Sequence, residues 1–177
     1  MEWMLLPFKR YAQFSGRSRR MEYWLFVLFL FLVYIVLGVI AGVAGVSIAG
    51  ASGADPGAGL GSIFASLGIL MIVFAVFWLA TLIPSLAVAV RRLHDTNRSG
   101  WWLMLYIAPY LLSLVLRLGG LGAGSGALVA LGTLFSLVGF VAAIVLIVFM
   151  CLPGTAGPNR SGPDPLRSDV DLARTFS

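Results

Sequence analysis

The chain has 177 residues, of which 60% are hydrophobic and only 11% are charged, and its mean hydropathy is +0.99. Soluble domains carry about 25% charged residues, so this composition excludes an ordinary water-soluble fold and predicts an integral membrane protein. The single cysteine, Cys151, excludes an intramolecular disulfide, and the single histidine, His94, excludes a multi-histidine metal site. No cofactor is expected.

The first predicted element is a short amphipathic helix that precedes the first apolar run. Met4, Phe8, Tyr11 and Phe14 follow steps of four and three along the chain, and Gly16 is suited to end the helix. We expect this helix to lie on the inner leaflet with its aromatic residues at headgroup level. The alternative is an arm that packs against the ends of the other helices.

Four apolar runs follow. Three are long enough to cross a hydrocarbon layer of about 30 Å at about 1.5 Å per residue, and the third is a short crossing interrupted by Pro109. The predicted transmembrane helices cover residues 22–45, 61–90, 101–117 and 127–152. Pro84 predicts either a steep tilt or a kink in the second span, and it leaves open whether residues 84–93 continue the helix or lie along the interface.

The segments between the spans are rich in glycine and small residues. Residues 46–60 are expected to form a mobile loop, residues 119–126 a flexible hairpin, and residues 166–177 a flexible tail. Residues 1–165 are therefore expected to form one all-α domain, a four-transmembrane-helix bundle with a short N-terminal amphipathic interfacial helix.

The cations predict the orientation of the bundle. Eleven of the twelve Lys and Arg residues lie in the N-terminal flank, the middle loop and the tail, and Arg117 alone lies on the other side. The positive-inside rule makes the basic side cytoplasmic, so both termini are expected in the cytoplasm. Cations beside apolar runs also favour anionic phospholipids rather than nucleic acid as the partner.

Three stretches carry a resemblance to a known family. They are FSGRSRRMEYW at 14–24, RRLHDTNRSGWW at 91–102, and the PG…GPNRSGPDP segment at 153–165. In this order they closely resemble the bacterial inner-membrane family catalogued as domain of unknown function 805, from about residue 8 to residue 165. The resemblance implies a place in the bacterial inner membrane and a fold, and it supplies no activity. One departure is the run 159–162, where the family pattern usually has an aromatic residue before the glycine.

The polar middle loop at 91–100 supports two interpretations. The first is a site for anionic lipid headgroups, because guanidinium groups bind phosphate oxygens in a bidentate fork. Its candidate residues on the basic side are Arg19, Arg20, Arg91, Arg92, His94 and Arg98. The second interpretation is architectural: the arginines end the second span, Asp95 and Asn97 form a turn, and Ser99 caps the third helix. In either case the expected interface anchors are Trp24, Trp101 and Trp102.

Two further features predict contacts between helices. An unpaired carboxylate at the mouth of a span is costly, so Glu22 is expected to pair with an arginine, the candidates being Arg91, Arg92 and Arg98. Small residues at helical spacing predict close packing, within one chain or between copies. They are Gly38 and Gly42 on the first span, and Gly132, Ser136 and Gly139 on the fourth.

These features are compatible with three kinds of function. The favoured function is a non-enzymatic scaffold or regulatory membrane protein with a basic cytoplasmic surface for anionic lipid headgroups, partnered by copies of itself or other membrane proteins. The alternative is a small oligomeric transporter or channel, against which the charge-free centres of the spans argue. An enzyme that uses His94 and Asp95 on headgroups is disfavoured, because no nucleophile motif or Mg²⁺ motif accompanies them.

Overall fold

The computed structural model describes residues 2–51 and 56–166, except for the side chains of 44–51, 56–67 and 69. Within these residues the elements are α1 (Glu2–Lys9), α2 (Arg20–Ala51), α3 (Pro56–Asp95), a 3-10 helix (Gly100–Leu103), α4 (Met104–Gly122) and α5 (Gly126–Cys151). The described residues form no strand, and their one isolated bridge joins Asn159 to Gly162. The described chain is therefore all-helical, as the sequence predicts.

Four helical segments are long and apolar enough to cross a membrane. In the described part of the chain they are Arg20–Val43, Leu70–Asp95, Gly100–Gly122 and Gly126–Cys151. Large apolar side chains stay uncovered along them, as in α2, where Phe31 is 59% exposed and Val39 is 60% exposed. Such a surface is suited to lipid rather than to water. The prediction of four apolar helices of spanning length is confirmed.

The first predicted loop is shorter than expected. α2 continues to Ala51 and α3 begins at Pro56, so the prediction of a mobile loop over 46–60 is wrong for the helical residues at both of its ends. Alanine, isoleucine and serine between the glycines are compatible with a helix, and proline fits the first helical position, where its missing N–H has no intrahelical acceptor. Residues 52–55 of this prediction lie outside the described residues.

The predicted hairpin at 119–126 is also mostly helical, because α4 continues to Gly122 and only residues 123–125 separate it from α5. The amide of Ala123 bonds to Gly119 O at 3.0 Å, and the amide of Ser125 bonds to Gly120 O at 2.8 Å. Gly124 supplies the positive φ of +63° that this helix ending requires. Backbone capping therefore holds the glycine-rich end of α4 in a helix.

α3 passes through Pro84 without a break and ends at Asp95, so residues 84–93 continue the second helix. A proline has no N–H for the carbonyl four residues earlier, which here belongs to Ala80. That carbonyl accepts a hydrogen bond from the Tyr11 hydroxyl at 2.8 Å instead. Because a side chain replaces the missing donor, the helix tolerates proline inside an apolar span.

The N-terminal helix is shorter than the predicted amphipathic stripe. α1 ends at Lys9, so Tyr11 and Phe14 lie beyond it, and Gly16 occupies a left-handed conformation in the following segment with φ +89°. Phe8 packs edge-on against Phe26 of α2, with ring centroids 5.3 Å apart. One face of α1 is therefore used for packing, and its location at a lipid interface stays a prediction.

The chain divides into two compact units, Met1–Ala12 with Trp24–Leu86 and Gln13–Tyr23 with Ala87–Ser177. In the first unit, Tyr34 of α2 stacks on Phe74 of α3 and meets the edge of Phe77. The second unit contains the α4–α5 hairpin and, apart from Trp24, the three sequence stretches that carry the family resemblance. The prediction of one domain over 1–165 stays a prediction.

Candidate functional site: an arginine–carboxylate cluster

The three stretches that carry the resemblance come together in the second unit. The amide of Ser18, before α2, bonds to Arg91 O at 3.2 Å near the end of α3. The amide of Thr155, after α5, bonds to Asp95 O at 2.8 Å. The last turn of α3 therefore lies between the N-terminal segment and the segment that follows α5.

A buried carboxylate, Asp95, holds two buried arginines. Nε of Arg17 donates to Asp95 Oδ1 at 2.9 Å, and Nη1 of Arg92 donates to Asp95 Oδ2. All three residues are less than 9% exposed. Ion pairs buried in this way need further hydrogen bonds to satisfy the remaining donors.

Backbone carbonyls of the C-terminal part of the chain supply those hydrogen bonds. Arg17 donates from Nη1 to Gly157 O and from Nη2 to Thr155 O, both at 2.6 Å. Arg92 donates from Nε to Met150 O at 3.1 Å and from Nη2 to Leu152 O. Because the last carbonyls of a helix have no intrahelical donors, Arg92 also caps the C-terminus of α5.

The second buried ion pair joins the start of α2 to α3. Arg91 Nη2 lies 2.9 Å from Glu22 Oε1, and both side chains are at most 2% exposed. The structure thus brings Glu22 together with the first of its three candidate partners. Arg92 pairs with Asp95 instead, and the Arg98 guanidinium carbon lies 3.9 Å from the centre of the Phe149 ring.

In the turn after α3, Ser99 caps the following helical turn as the architectural interpretation predicts, whereas Asp95 has a different role. Asn97 has a left-handed φ of +58°, and the Ser99 hydroxyl accepts a hydrogen bond from the Trp101 amide at 3.4 Å. The Asp95 carboxylate bonds to arginines rather than to the backbone of this turn, because two buried cations compete for it. His94 points Nδ1 towards Gly16 O at 3.3 Å.

The segment after α5 completes the cluster. Asn159 donates from Nδ2 to His94 O and to Thr155 Oγ1, both at 2.9 Å. The buried Asp164 carboxylate accepts from the Gly157 amide at 2.8 Å. A Cβ atom on Gly154 would lie 2.7 Å from Asp95 Cγ, so only glycine permits this close approach.

Sequence reasoning missed four members of the cluster: Arg17, Thr155, Asn159 and Asp164. A usable signal existed, because all four lie within the stretches quoted for the resemblance. Long-range partners are not encoded in spacing, however, and Arg17 is 78 residues away from Asp95.

A cavity of about 320 Å³ adjoins the cluster. Its lining includes Arg17, Arg19, Arg20, Asp95 and Asp164 together with the apolar side chains Met21, Pro153, Ala156, Pro165 and Leu166. Arg19 donates from Nε to Pro165 O at 2.9 Å, whereas the exposed Arg20 forms no hydrogen bond or ion pair with the described residues. A guanidinium and an apolar wall are thus available at one cavity.

The predicted packing glycines fall into two classes. A Cβ on Gly132 would lie 2.9 Å from Ser113 O of α4, and one on Gly139 would lie 3.7 Å from Tyr110 N. α5 therefore packs its small residues, Ser136 included, against α4 of the same chain. A Cβ on Gly38 or on Gly42 would meet nothing within 4 Å in the described structure.

The predicted anchors carry exposed rings: Trp24 is 38% exposed, Trp101 79% and Trp102 42%. Among the residues that the structure describes, no group of three His, Cys, Asp or Glu side chains is arranged to hold a metal ion. The chemistry available at this site is that of arginine: charge and directed hydrogen bonds to oxyanions.

Comparisons with known proteins agree with the membrane placement. The model of the family described as protein of unknown function (DUF805) matches residues 11–163. Inner membrane protein YhaI of Escherichia coli (strain K12) is 33% identical over 166 residues, which cover 93% of this chain and 96% of that protein. Inner membrane protein YhaH of the same organism is 32% identical over 165 residues, covering 93% and 97%. No solved structure matches the chain.

Proposed function

The chain belongs to the DUF805 family of inner-membrane proteins of unknown function, and we propose that it is a non-enzymatic scaffold or regulatory protein whose basic surface binds anionic phospholipid headgroups. In this proposal both termini are cytoplasmic and the cluster lies at the cytoplasmic membrane boundary. The gathering of eleven cations in three alternate segments supports this orientation. The exposed Trp3, Leu5 and Lys9 of α1 fit a helix that also touches the lipid interface.

The observation that carries the proposal is the difference between the buried and the exposed arginines. Arg17, Arg91 and Arg92 are buried and paired with carboxylates, so they stabilise the cluster and are not accessible to a headgroup. Arg20 is exposed beside the cavity and has no acceptor among the described residues. This narrows the predicted headgroup site from six residues to a surface around Arg19 and Arg20.

The cavity suits a phospholipid better than a purely polar anion. A phosphate at Arg20 would form charge-assisted hydrogen bonds, and the adjacent Met21 and Leu166 would contact the glycerol or acyl part of the lipid. The two carboxylates in the lining are already engaged, Asp95 by arginines and Asp164 by the amides of Gly157 and Leu166. Their repulsion of a phosphate is therefore reduced.

A scaffold or regulatory role is favoured over catalysis because the polar groups are used in holding segments together. His94 contacts a backbone carbonyl, and the neighbouring Asp95 is occupied by Arg17 and Arg92. A general base would need an orienting carboxylate and access to a substrate proton. The cluster instead joins three distant parts of the chain at one boundary.

Native mass spectrometry of the full chain, released from bilayers of phosphatidylglycerol and phosphatidylcholine, tests the headgroup site. The double substitution Arg19→Gln/Arg20→Gln should reduce retained phosphatidylglycerol about tenfold, because it removes charge-assisted hydrogen bonds to phosphate. The matched control is Lys9→Gln/Arg10→Gln, which removes the same charge elsewhere on the basic side. Equal retention in both variants and the native chain would contradict the proposal.

The orientation is tested separately. A fluorescent reporter that folds only in the cytoplasm, fused after Ser177, should be bright in intact cells, because four crossings return the tail to the side of the N-terminus. A dark reporter, together with activity of a periplasmic reporter at the same position, would reverse the topology.

A further inference from the structure

One cation lies away from the cluster, within the α4–α5 hairpin. Arg117, on α4, is half-buried and donates from Nη2 to Ser136 Oγ of α5 at 2.8 Å. The Ser136 hydroxyl donates in turn to Thr133 O at 2.7 Å, so its orientation is fixed. The Arg117 side chain is thereby held between the two helices.

The hydrogen bond draws Arg117 towards the interior of the hairpin. Ser136 is ten residues beyond Gly126, the first residue of α5, which corresponds to about 15 Å along a helix of about 39 Å. Arginines near the ends of spans usually extend towards the headgroups. This guanidinium extends instead towards the middle of its neighbour helix.

The counter-charge that the other buried arginines possess is missing at this position. Within the described part of the chain Arg117 forms no ion pair, and its one hydrogen-bond partner is a neutral serine. Its Nε–H is buried and has no acceptor there. A guanidinium in an apolar setting with an unused donor is a group that an anion would stabilise strongly.

The surrounding residues accommodate the arginine. A Cβ on Gly132 would lie 2.9 Å from Arg117 Cγ and 3.2 Å from Arg117 N, so the absence of a side chain on Gly132 gives room to the arginine stem. Gly132 and Ser136 are four residues apart, hence on one face of α5. The site is thus formed by one face of each helix.

We propose that the α4–α5 hairpin contains an anion-binding site, in which Arg117 binds a phosphate group and Ser136 positions the guanidinium. The ligand is either a phospholipid or free phosphate. Both present a tetrahedral oxyanion that accepts hydrogen bonds from Nε and one Nη of Arg117. The site is distinct from the surface around Arg19 and Arg20. It places a binding group inside a span, whereas sequence position alone places Arg117 at the end of one.

Thermal unfolding of the full chain in uncharged maltoside micelles provides the first test. Inorganic phosphate and, separately, phosphatidylglycerol are titrated, and the apparent affinity is taken from the rise in Tm. Arg117→Gln should weaken the affinity for the effective probe about tenfold, because a charge-assisted fork is lost. Arg10→Gln is the matched control: Arg10 is exposed and belongs to neither proposed site, so its substitution should leave that affinity within about twofold.

The two probes distinguish the sources. A shift with phosphate that depends on Arg117 identifies a free-anion site, and a shift that only phosphatidylglycerol produces and that depends on Arg117 identifies a lipid site. A shift that Arg117→Gln leaves unchanged overturns the proposal, as does the lack of any shift in the native chain. Lipid retained at Arg117 would be common to the Arg19→Gln/Arg20→Gln variant and its Lys9→Gln/Arg10→Gln control, so the difference between those two variants reports on the surface around Arg19 and Arg20.

A second measurement needs no variant and decides the question if Arg117→Gln does not fold. Phenylglyoxal modifies accessible arginines, and peptide mass spectrometry reports each position. The effective probe should slow modification of Arg117 about tenfold, as expected of a group held in a charge-assisted fork. The exposed Arg10 serves as the internal control with inorganic phosphate. Equal rates at Arg117 with and without both probes would overturn the proposal.

Discussion

The arginine–carboxylate cluster and the α4–α5 hairpin differ in the partners that they provide for a guanidinium. In the cluster, Arg17 and Arg92 share Asp95, and Arg91 pairs with Glu22. In the hairpin, Arg117 has a serine as its one partner among the described residues. Removing charge from water is costly without a counter-charge, so the first arrangement, which supplies its own carboxylates, differs from the second, which is suited to an external anion.

This difference teaches that the burial of an arginine does not by itself identify a binding site. Arg91 and Arg92 are at most 1% exposed, and they are committed to the fold. Among the described residues, exposed Arg20 and half-buried Arg117 have donors without an acceptor and no carboxylate partner, and these are the two arginines that we propose for a ligand. Pairing, rather than position in a motif, separates the structural arginines from the binding ones.

The largest effect on stability is expected from removing the carboxylate that two arginines of the cluster share. Asp95→Ala should lower the free energy of unfolding by about 3–5 kcal/mol, since it leaves two buried guanidiniums with carbonyl acceptors but without a counter-charge. The measurement is unfolding of the purified chain in mixed micelles, monitored by tryptophan fluorescence.

Arg98→Gln is the control for Asp95→Ala, because it changes a charge in the same loop. Arg98 contacts the Phe149 ring and forms only a weak hydrogen bond to Thr96 O at 3.4 Å, so we expect a loss below about 1 kcal/mol. Similar losses for the two variants would mean that the buried pairs do not dominate the stability of the cluster.

An intermediate effect is expected from altering the space that the hairpin gives to Arg117. Gly132→Ala should lower the free energy of unfolding by about 1–3 kcal/mol, because its Cβ would lie 2.9 Å from Ser113 O and from Arg117 Cγ. Gly42→Ala is the matched control: it adds the same methyl group to an apolar helix where nothing lies within 4 Å. If both variants were equally stable, the close packing of α4 on α5 would not be needed.

The sequence predicted the apolar helices well because hydropathy and span length are local properties. It misjudged the segments around Ala51 and Gly122, where glycine content suggested loops but helix capping and neighbouring alanines maintain helices. It also left the path after Pro84 open, since the donor that replaces the proline N–H is Tyr11, far away in the chain. Such long-range satisfaction of backbone groups has no local signal.

Many residues of the candidate site could be predicted from the sequence, but their partners could be predicted only in part. An unpaired carboxylate where a helix enters the membrane is energetically costly, which predicts that Glu22 needs an arginine. It does not predict that Arg91, rather than Arg92 or Arg98, is that arginine. The role of Asp95 as a shared acceptor depends on Arg17, which lies before the first span. The inward course of Arg117 depends on Ser136 of the next helix, so sequence position alone placed it at the end of a span.

The smallest effect on stability is expected from removing the hydroxyl that holds Arg117 in the α4–α5 hairpin. Ser136→Ala removes the acceptor of Arg117 Nη2 and should lower the free energy of unfolding by about 0.6 kcal/mol, the typical value for one hydrogen bond between membrane helices. Thr133→Ala is the matched control, because its hydroxyl donates only to Val129 O of its own helix. If Ser136 merely positions Arg117 for an anion, both alanine variants stay nearly as stable as the native chain, while phosphate or phosphatidylglycerol binds more weakly to Ser136→Ala alone. If Ser136→Ala lowered the free energy of unfolding as much as Asp95→Ala does, Ser136 would have a structural role like that of Asp95. Only a partner that offsets the buried charge has so large an effect.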